Sequence, residues 1–228
     1  MLHVLNILVY KFLKWNEQIN NICRKVCTSL AVMRRAKPFV PKSSLITIYN
    51  TMVLPHFDYA IIIWSSCSET NINRLQNLQN MAMRIILCVP FRTHINDMLH
   101  NLGFMSIRDR IIYVTGCMMF KVTNDMTPAY LNDLFQPVSN VHSVNTRGSV
   151  NGHFYIPKCN TNYGQSCFKY KGSVLWNVFS KRYPSTQLVN AIQKETQRRS
   201  EIVIQLCRCS VILINIKFYF YFNNMFKI

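Results

Sequence analysis

Ile72-Asn73-Arg74-Leu75-Gln76-Asn77-Leu78-Gln79-Asn80-Met81-Ala82-Met83-Arg84-Ile85-Ile86-Leu87-Cys88-Val89 is the stretch whose periodicity decides the fold class. Ile72, Leu75, Leu78, Ala82, Ile85 and Val89 recur at steps of three and four, the spacing that lines one side of an α-helix. Asn73, Asn77, Asn80 and Arg84 follow the same steps and are read as the opposite, polar side. Pro90 stops the pattern, because proline lacks the backbone N–H that a continuing helix needs. A helix with one apolar stripe has to bury it against other elements, so the flanking sequence is read for partners of the same period.

Upstream, Trp15, Ile19, Ile22, Val26, Leu30 and Met33 draw a second helical stripe, closed by Pro38 and Pro41. Ser43 to Trp64 reads as another helix, with Leu45, Ile48, Met52 and Ile63 on its apolar side and a kink or break expected at Pro55. Downstream, His94 to Leu102 is a short helix stopped by Gly103. Ser106 followed by Asp109 is a near capping box that opens a helix to about Val122, with Ile107, Ile111, Val114 and Met118 as its stripe. Thr127-Pro128 reads as the cap and first turn of a helix reaching Phe135.

At Gln136 the composition shifts to Asn, Ser, Gly and Tyr, and the helical stripes fade as far as Gly172. One short strand or hairpin is expected there, at His153 to Pro157. Helical pattern returns at Ser173 to Phe179 and at about Ser185 to Ile204. Met1 to Phe12 is apolar and β-branched, read as a strand or as a remnant of a preceding segment. The expected fold is therefore mainly α: a helical bundle-like region over 15–135, an irregular connection over 136–172 and C-terminal helices over 173–204. Residues 1–14 precede them, and an apolar tail over 205–228 follows. Within that tail, Val211 to Phe222 is interrupted by Asn215 and Lys217 and falls short of the roughly 20 residues a membrane span needs, so no stable membrane insertion is expected.

The chain has 228 residues, half of them hydrophobic, enough to bury a core and to exclude wholesale disorder. Lys and Arg total 26 against 9 Asp and Glu, a net charge of +17. That excess favours a polyanion, nucleic acid or an anionic membrane face, over the alternative of a merely solvated basic surface. Nine cysteines are scattered without C-x-x-C or paired Cys/His spacing, which argues against a zinc site. Their odd number, and the position of Lys11 and Lys14 after the apolar start rather than before it, fit reduced thiols in a nuclear or cytoplasmic protein rather than a secreted one.

Nucleotide polymerisation needs clustered carboxylates to hold two metal ions, and this sequence has no adjacent Asp–Asp or Asp–Glu pair. Asp97, Asp125 and Asp133 each follow an Asn and read as caps and turns. Phe57-Asp58-Tyr59-Ala60 sets aromatics around a single acid. Without a second carboxylate it reads as an ion-pair or turn residue, not a metal site. With only six glycines there is no phosphate-cradling loop, and no cofactor is expected. What remains is binding chemistry. Arg24, Lys25, Arg34, Arg35, Lys37 and Lys42, facing Glu17 as the only acid before Asp58, are candidates for phosphate contacts. Asn73, Asn77, Asn80 and Arg84 are candidates for sugar or base edges.

Several short strings, weak alone, share an order. Leu13-Lys14-Trp15 with Ile19, Ile48-Tyr49-Asn50, Leu54-Pro55-His56-Phe57-Asp58-Tyr59 and Trp64 come first. Leu75-Gln76-Asn77-Leu78-Gln79-Asn80 with Ala82 and Arg84-Ile85-Ile86 follows. Then come Arg92-Thr93-His94, Leu99, Leu102-Gly103, Arg108 to Arg110, Pro128-Ala129-Tyr130-Leu131 and Asp133-Leu134-Phe135. His142, Asn145-Thr146-Arg147, Tyr163-Gly164, Ser166, Phe168 and Leu175-Trp176-Asn177 complete the series. Over about Leu13 to Phe179 this order resembles the region that follows the palm in reverse transcriptases of jockey-type non-LTR retrotransposons. The resemblance implies RNA-directed DNA polymerase ancestry and an all-helical, thumb-like and post-polymerase region, whose catalytic palm and endonuclease would lie upstream. The expectation is a non-catalytic fragment that binds RNA or DNA backbones without sequence preference. A decayed relic with no selected function, or a thumb supplied in trans to an active enzyme, is the alternative. Cys207 to Ile228 matches nothing in that pattern and reads as translated flanking sequence.

Overall fold

The two longest apolar stripes become the two longest helices, α1 (Asn16–Ala36) and α5 (Glu69–Leu87). The computed structural model describes residues 2–4, 7–9, 15–141, 144 and 146–182, so the helix expected at 185–204 and the apolar tail lie outside the described residues. Trp15, Ile19, Ile22, Val26, Leu30 and Met33 of the first stripe are all buried. Polar bonds tie the two helices together at their N-terminal ends. Trp15 Nε1 donates to Ser66 Oγ (2.7 Å), Asn71 Nδ2 to Asn16 Oδ1 (2.7 Å) and Arg74 Nη2 to Asn20 Oδ1 (2.9 Å). Partners advance together along both helices, so α1 and α5 run parallel.

Parallel helices need a return path, and residues 42–64 supply it. α2 (Lys42–Ile48) passes into a π-helical turn, Tyr49–Val53, then α3 (Leu54–Asp58) and α4 (Ile61–Trp64). The kink or break expected at Pro55 takes the form of that π turn just ahead of it, with Pro55 in the first turn of α3. The π turn, in which Leu54 N donates to Tyr49 O, lets the helical path continue through the proline. Ser29 Oγ on α1 donates to Met52 O in the turn (3.0 Å). The path bends again at Ala60, whose φ of 54° is left-handed, and Trp64 Nε1 donates to Tyr59 O at that bend (2.8 Å). Tyr49, Val53, Phe57 and Trp64 are buried there.

The chain divides into two compact units, Met1–Ile111 and Ile112–Ile228. The first also holds a small antiparallel hairpin, β1 (Leu2–Val4) with β2 (Ile7–Val9), and α6 (Ile95–Leu102), ended by Gly103 at φ 62° as its sequence implied. α7 (Ile107–Thr123) starts at the anticipated cap: Asp109 N donates to Ser106 Oγ, which donates to Asp109 Oδ2.

In the second unit, α8 (Ala129–Asn132) is shorter than expected and is capped by Pro128, whose extended backbone (ψ 145°) places it just before the first turn. A 3-10 turn (Val138–Asn140), α9 (Arg147–Val150) and α10 (Asn162–Ser166) follow. α11 (Phe168–Arg182) begins five residues before the helical start read at Ser173. The strand expected at His153 to Pro157 reduces to one antiparallel bridge, Pro137 with Phe154. Asn177 explains why no strand forms beside it: its side chain accepts from Phe154 N and donates to Phe154 O, both at 2.9 Å, taking the groups a neighbouring strand would use. Phe135 packs against Phe154 and edge-on to Phe168, with ring centroids 5.7 and 5.4 Å apart. The described architecture is thus all-α and multi-helical, with essentially no sheet.

Candidate nucleic-acid interface

Helix geometry distributes the basic residues of α1. Arg24 and Arg35 are eleven residues apart, about three turns, so they share one exposed stripe roughly 16 Å apart along the axis. Lys25 turns toward α3: its charge, after burial, helps hold the His56 imidazole below its ordinary pKa. Arg34, Arg35 and Lys37 close the C-terminal end of α1, where cations also stabilise the helix dipole by about 0.3–1 kcal/mol each. Lys42 opens α2 immediately after. All six cations are exposed, and none makes an ion pair with a described residue.

The residues on α5 separate. Asn73 and Asn77 are exposed, and Asn73 accepts from Arg108 Nη2 at 3.3 Å. Asn80 is buried and accepts from Gln76 Nε2 (2.9 Å), so it faces the core rather than a ligand. Arg84 is half-buried, its guanidinium 4.6 Å from the centre of the Phe91 ring and its Nε without a hydrogen-bond partner. The buried stripe runs through Leu75, Gln79, Ala82, Met83 and Ile86, which leaves Leu78 half-exposed.

The glutamines explain the polar intrusion. Gln79 is 1% exposed. It donates to Tyr49 Oη (3.1 Å) and Met105 O (2.8 Å) and accepts from Gln76 (3.0 Å). Gln76 in turn accepts from Ile107 N (2.8 Å). This network pins the α6–α7 junction onto α5, so Leu75-Gln76-Asn77-Leu78-Gln79-Asn80 is first a structural clamp.

Asp58 takes part in an ion pair. Its carboxylate is gripped at both oxygens by Arg110, through Nε and through Nη2 (2.6 Å), with the Arg110 side chain 4% and that of Asp58 39% exposed. Arg108 pairs with Glu69. Among the described residues no group of three or more His, Cys, Asp or Glu is placed to hold a metal ion, and the described cysteines are free thiols. Burial raises the Cys23 thiol pKa, with Arg74 opposing, which keeps it protonated and weakly nucleophilic. No described helix is long and apolar enough to cross a membrane.

The fold brings together part of what the sequence nominated. α1 and α5 start side by side, with Asn16 against Asn71 and Asn20 against Arg74, and pack along one another, so their C-terminal ends leave on the same side of the unit. Arg34, Arg35, Lys37, Lys42 and Arg84 therefore gather at one end of the first unit, whereas Asn73 lies toward the other. Sequence reading passed over Phe39 and Phe91 at that end, although an aromatic next to a proline and outside every apolar stripe was the available signal. No protein-family model matches this chain, and no curated protein or solved structure matches it either.

Proposed function

We propose that this chain is the non-catalytic, thumb-like C-terminal part of a reverse transcriptase of the jockey-type non-LTR retrotransposon kind, and that it binds nucleic-acid backbones without sequence preference. The ordered resemblance over about Leu13 to Phe179 supports the ancestry. The observation that carries the binding is the group Arg34, Arg35, Lys37 and Lys42: exposed, adjacent and without a carboxylate partner among the described residues. Arginine and lysine at such a place contact phosphate oxygens, which are the same on every sequence. Two acids of this unit are engaged elsewhere, Asp58 with Arg110 and Glu69 with Arg108.

The test is fluorescence anisotropy with two primer–template duplexes of equal length and unrelated sequence. Both should bind within about twofold of each other and weaken steeply with salt. With primer, RNA template, nucleotides and Mg²⁺, the purified chain should incorporate nothing above background. A preference of tenfold or more for one duplex would contradict backbone-only recognition, and incorporation that survives repurification would contradict the non-catalytic reading.

A further inference from the structure

Phe39 and Phe91 are the most exposed large hydrophobic side chains among the described residues, at 86% and 82%. Neither sits on a free-swinging loop. Phe39 lies between Pro38 and Pro41, and its N–H donates to Ala36 O (2.9 Å). Phe91 follows Pro90 in a turn that Thr93 N closes onto Pro90 O (3.2 Å). Each proline fixes a backbone angle, so both rings are displayed on stiffened turns and lose little freedom on binding.

α1 and α5 start side by side and pack along one another, so the turns that follow their C-terminal ends leave from the same end of the unit, the end that carries the basic group. Arg84 occupies one side of the Phe91 ring, which orients the ring and leaves its remaining surface to solvent. Arg92 follows directly and is exposed. Asp97, in the first turn of α6, is the acid nearest this end in the chain. Exposed aromatic faces set among uncompensated cations suit one ligand chemistry: unpaired bases, which stack, joined by phosphates, which pair with Arg and Lys. A fully paired duplex offers the phosphates but keeps its base faces stacked on one another.

We propose that this end is a single-strand platform, on which Phe39 and Phe91 stack unpaired bases while Arg35, Lys37, Arg84 and Arg92 hold the intervening phosphates. The proposal rests on the backbone-binding reading above and adds a ligand class to it. The experiment compares a labelled 20-mer of thymidine with a blunt 20-base-pair duplex, on the parent chain, a Phe39→Ala/Phe91→Ala variant and a Phe39→Trp/Phe91→Trp variant.

The parent should prefer the single strand. The alanine variant should lose about tenfold or more on it, with duplex affinity and salt slope unchanged. The tryptophan variant should retain the affinity, and its indole fluorescence should be quenched by the single strand and not by the duplex. Melting temperatures should be equal, since both rings are exposed. Equal losses on the two ligands, or no loss on either, would overturn the platform while leaving backbone binding standing. A parent chain that binds neither ligand would overturn both.

Discussion

Replacing Gln79 by Ala separates the clamp reading of α5 from a surface-recognition reading. The side chain is buried and makes three hydrogen bonds: to Tyr49 Oη, to Met105 O and from Gln76. At about 1 kcal/mol net for each, the substitution should cost roughly 3 kcal/mol, with alanine's better helix propensity returning only a few tenths. Asn77→Ala, two residues earlier and exposed, should change stability by less than about 0.5 kcal/mol. Urea denaturation followed by circular dichroism at 222 nm reads the difference directly, because these residues lie in the helical first unit. A loss below about 1 kcal/mol for Gln79→Ala, or equal losses for the two variants, would refute the argument that the glutamine pins the α6–α7 junction.

Asp58→Asn should cost about 2 kcal/mol, because it leaves the buried Arg110 guanidinium without its counter-charge while the half-open carboxylate side limits the loss; thermal melting checks it, and Arg110→Met in the same background should recover part of it. In the second unit, a Cβ on Gly172 would lie 2.7 Å from Met119 Sδ and 3.4 Å from Phe135, so Gly172→Ala should destabilise by about 1 kcal/mol even after the gain in helix propensity; a stabilised variant would contradict that packing. His56 titrates below its ordinary pKa, chiefly through burial and then through Lys25. The unfolded state then binds the proton more readily, so stability should be full above about pH 6.5 and fall as the pH drops below it; melting from pH 7.5 to 5 should show a slope that His56→Gln reduces.

Sequence periodicity revealed the helices whose stripes are purely apolar. α1 buries every residue of its stripe, and α6 and α7 start or stop at the cap residues that announce them. Reading was poorer where a polar side chain belongs to the core. Gln79 and Asn80 are buried because they find partners on Tyr49, Met105 and Gln76, and a hydrophobic pattern carries no mark of such partners. The stripe therefore rotates away from Leu78 toward Gln79 and Met83. Pro55 marked an interruption but not its form: the π turn just before it reroutes the backbone bonds that proline would otherwise break. Of the candidate site, the residue types were legible but their grouping was not. Only the parallel course of α1 and α5 puts Arg84 toward the same end as Arg34 and Arg35 and leaves Asn73 toward the other.

The most direct test of backbone binding is the salt dependence of duplex affinity for the parent chain and an Arg34→Ala/Arg35→Ala/Lys37→Ala variant. Each phosphate contact releases counterions and contributes about −0.9 to the slope of log K against log salt. Removing three cations should flatten the slope by about 2–3 and weaken binding about equally for all duplex sequences, while circular dichroism confirms that α1 remains helical. Identical affinity and slope for parent and variant would show that this basic end is a solvated surface and would contradict the account.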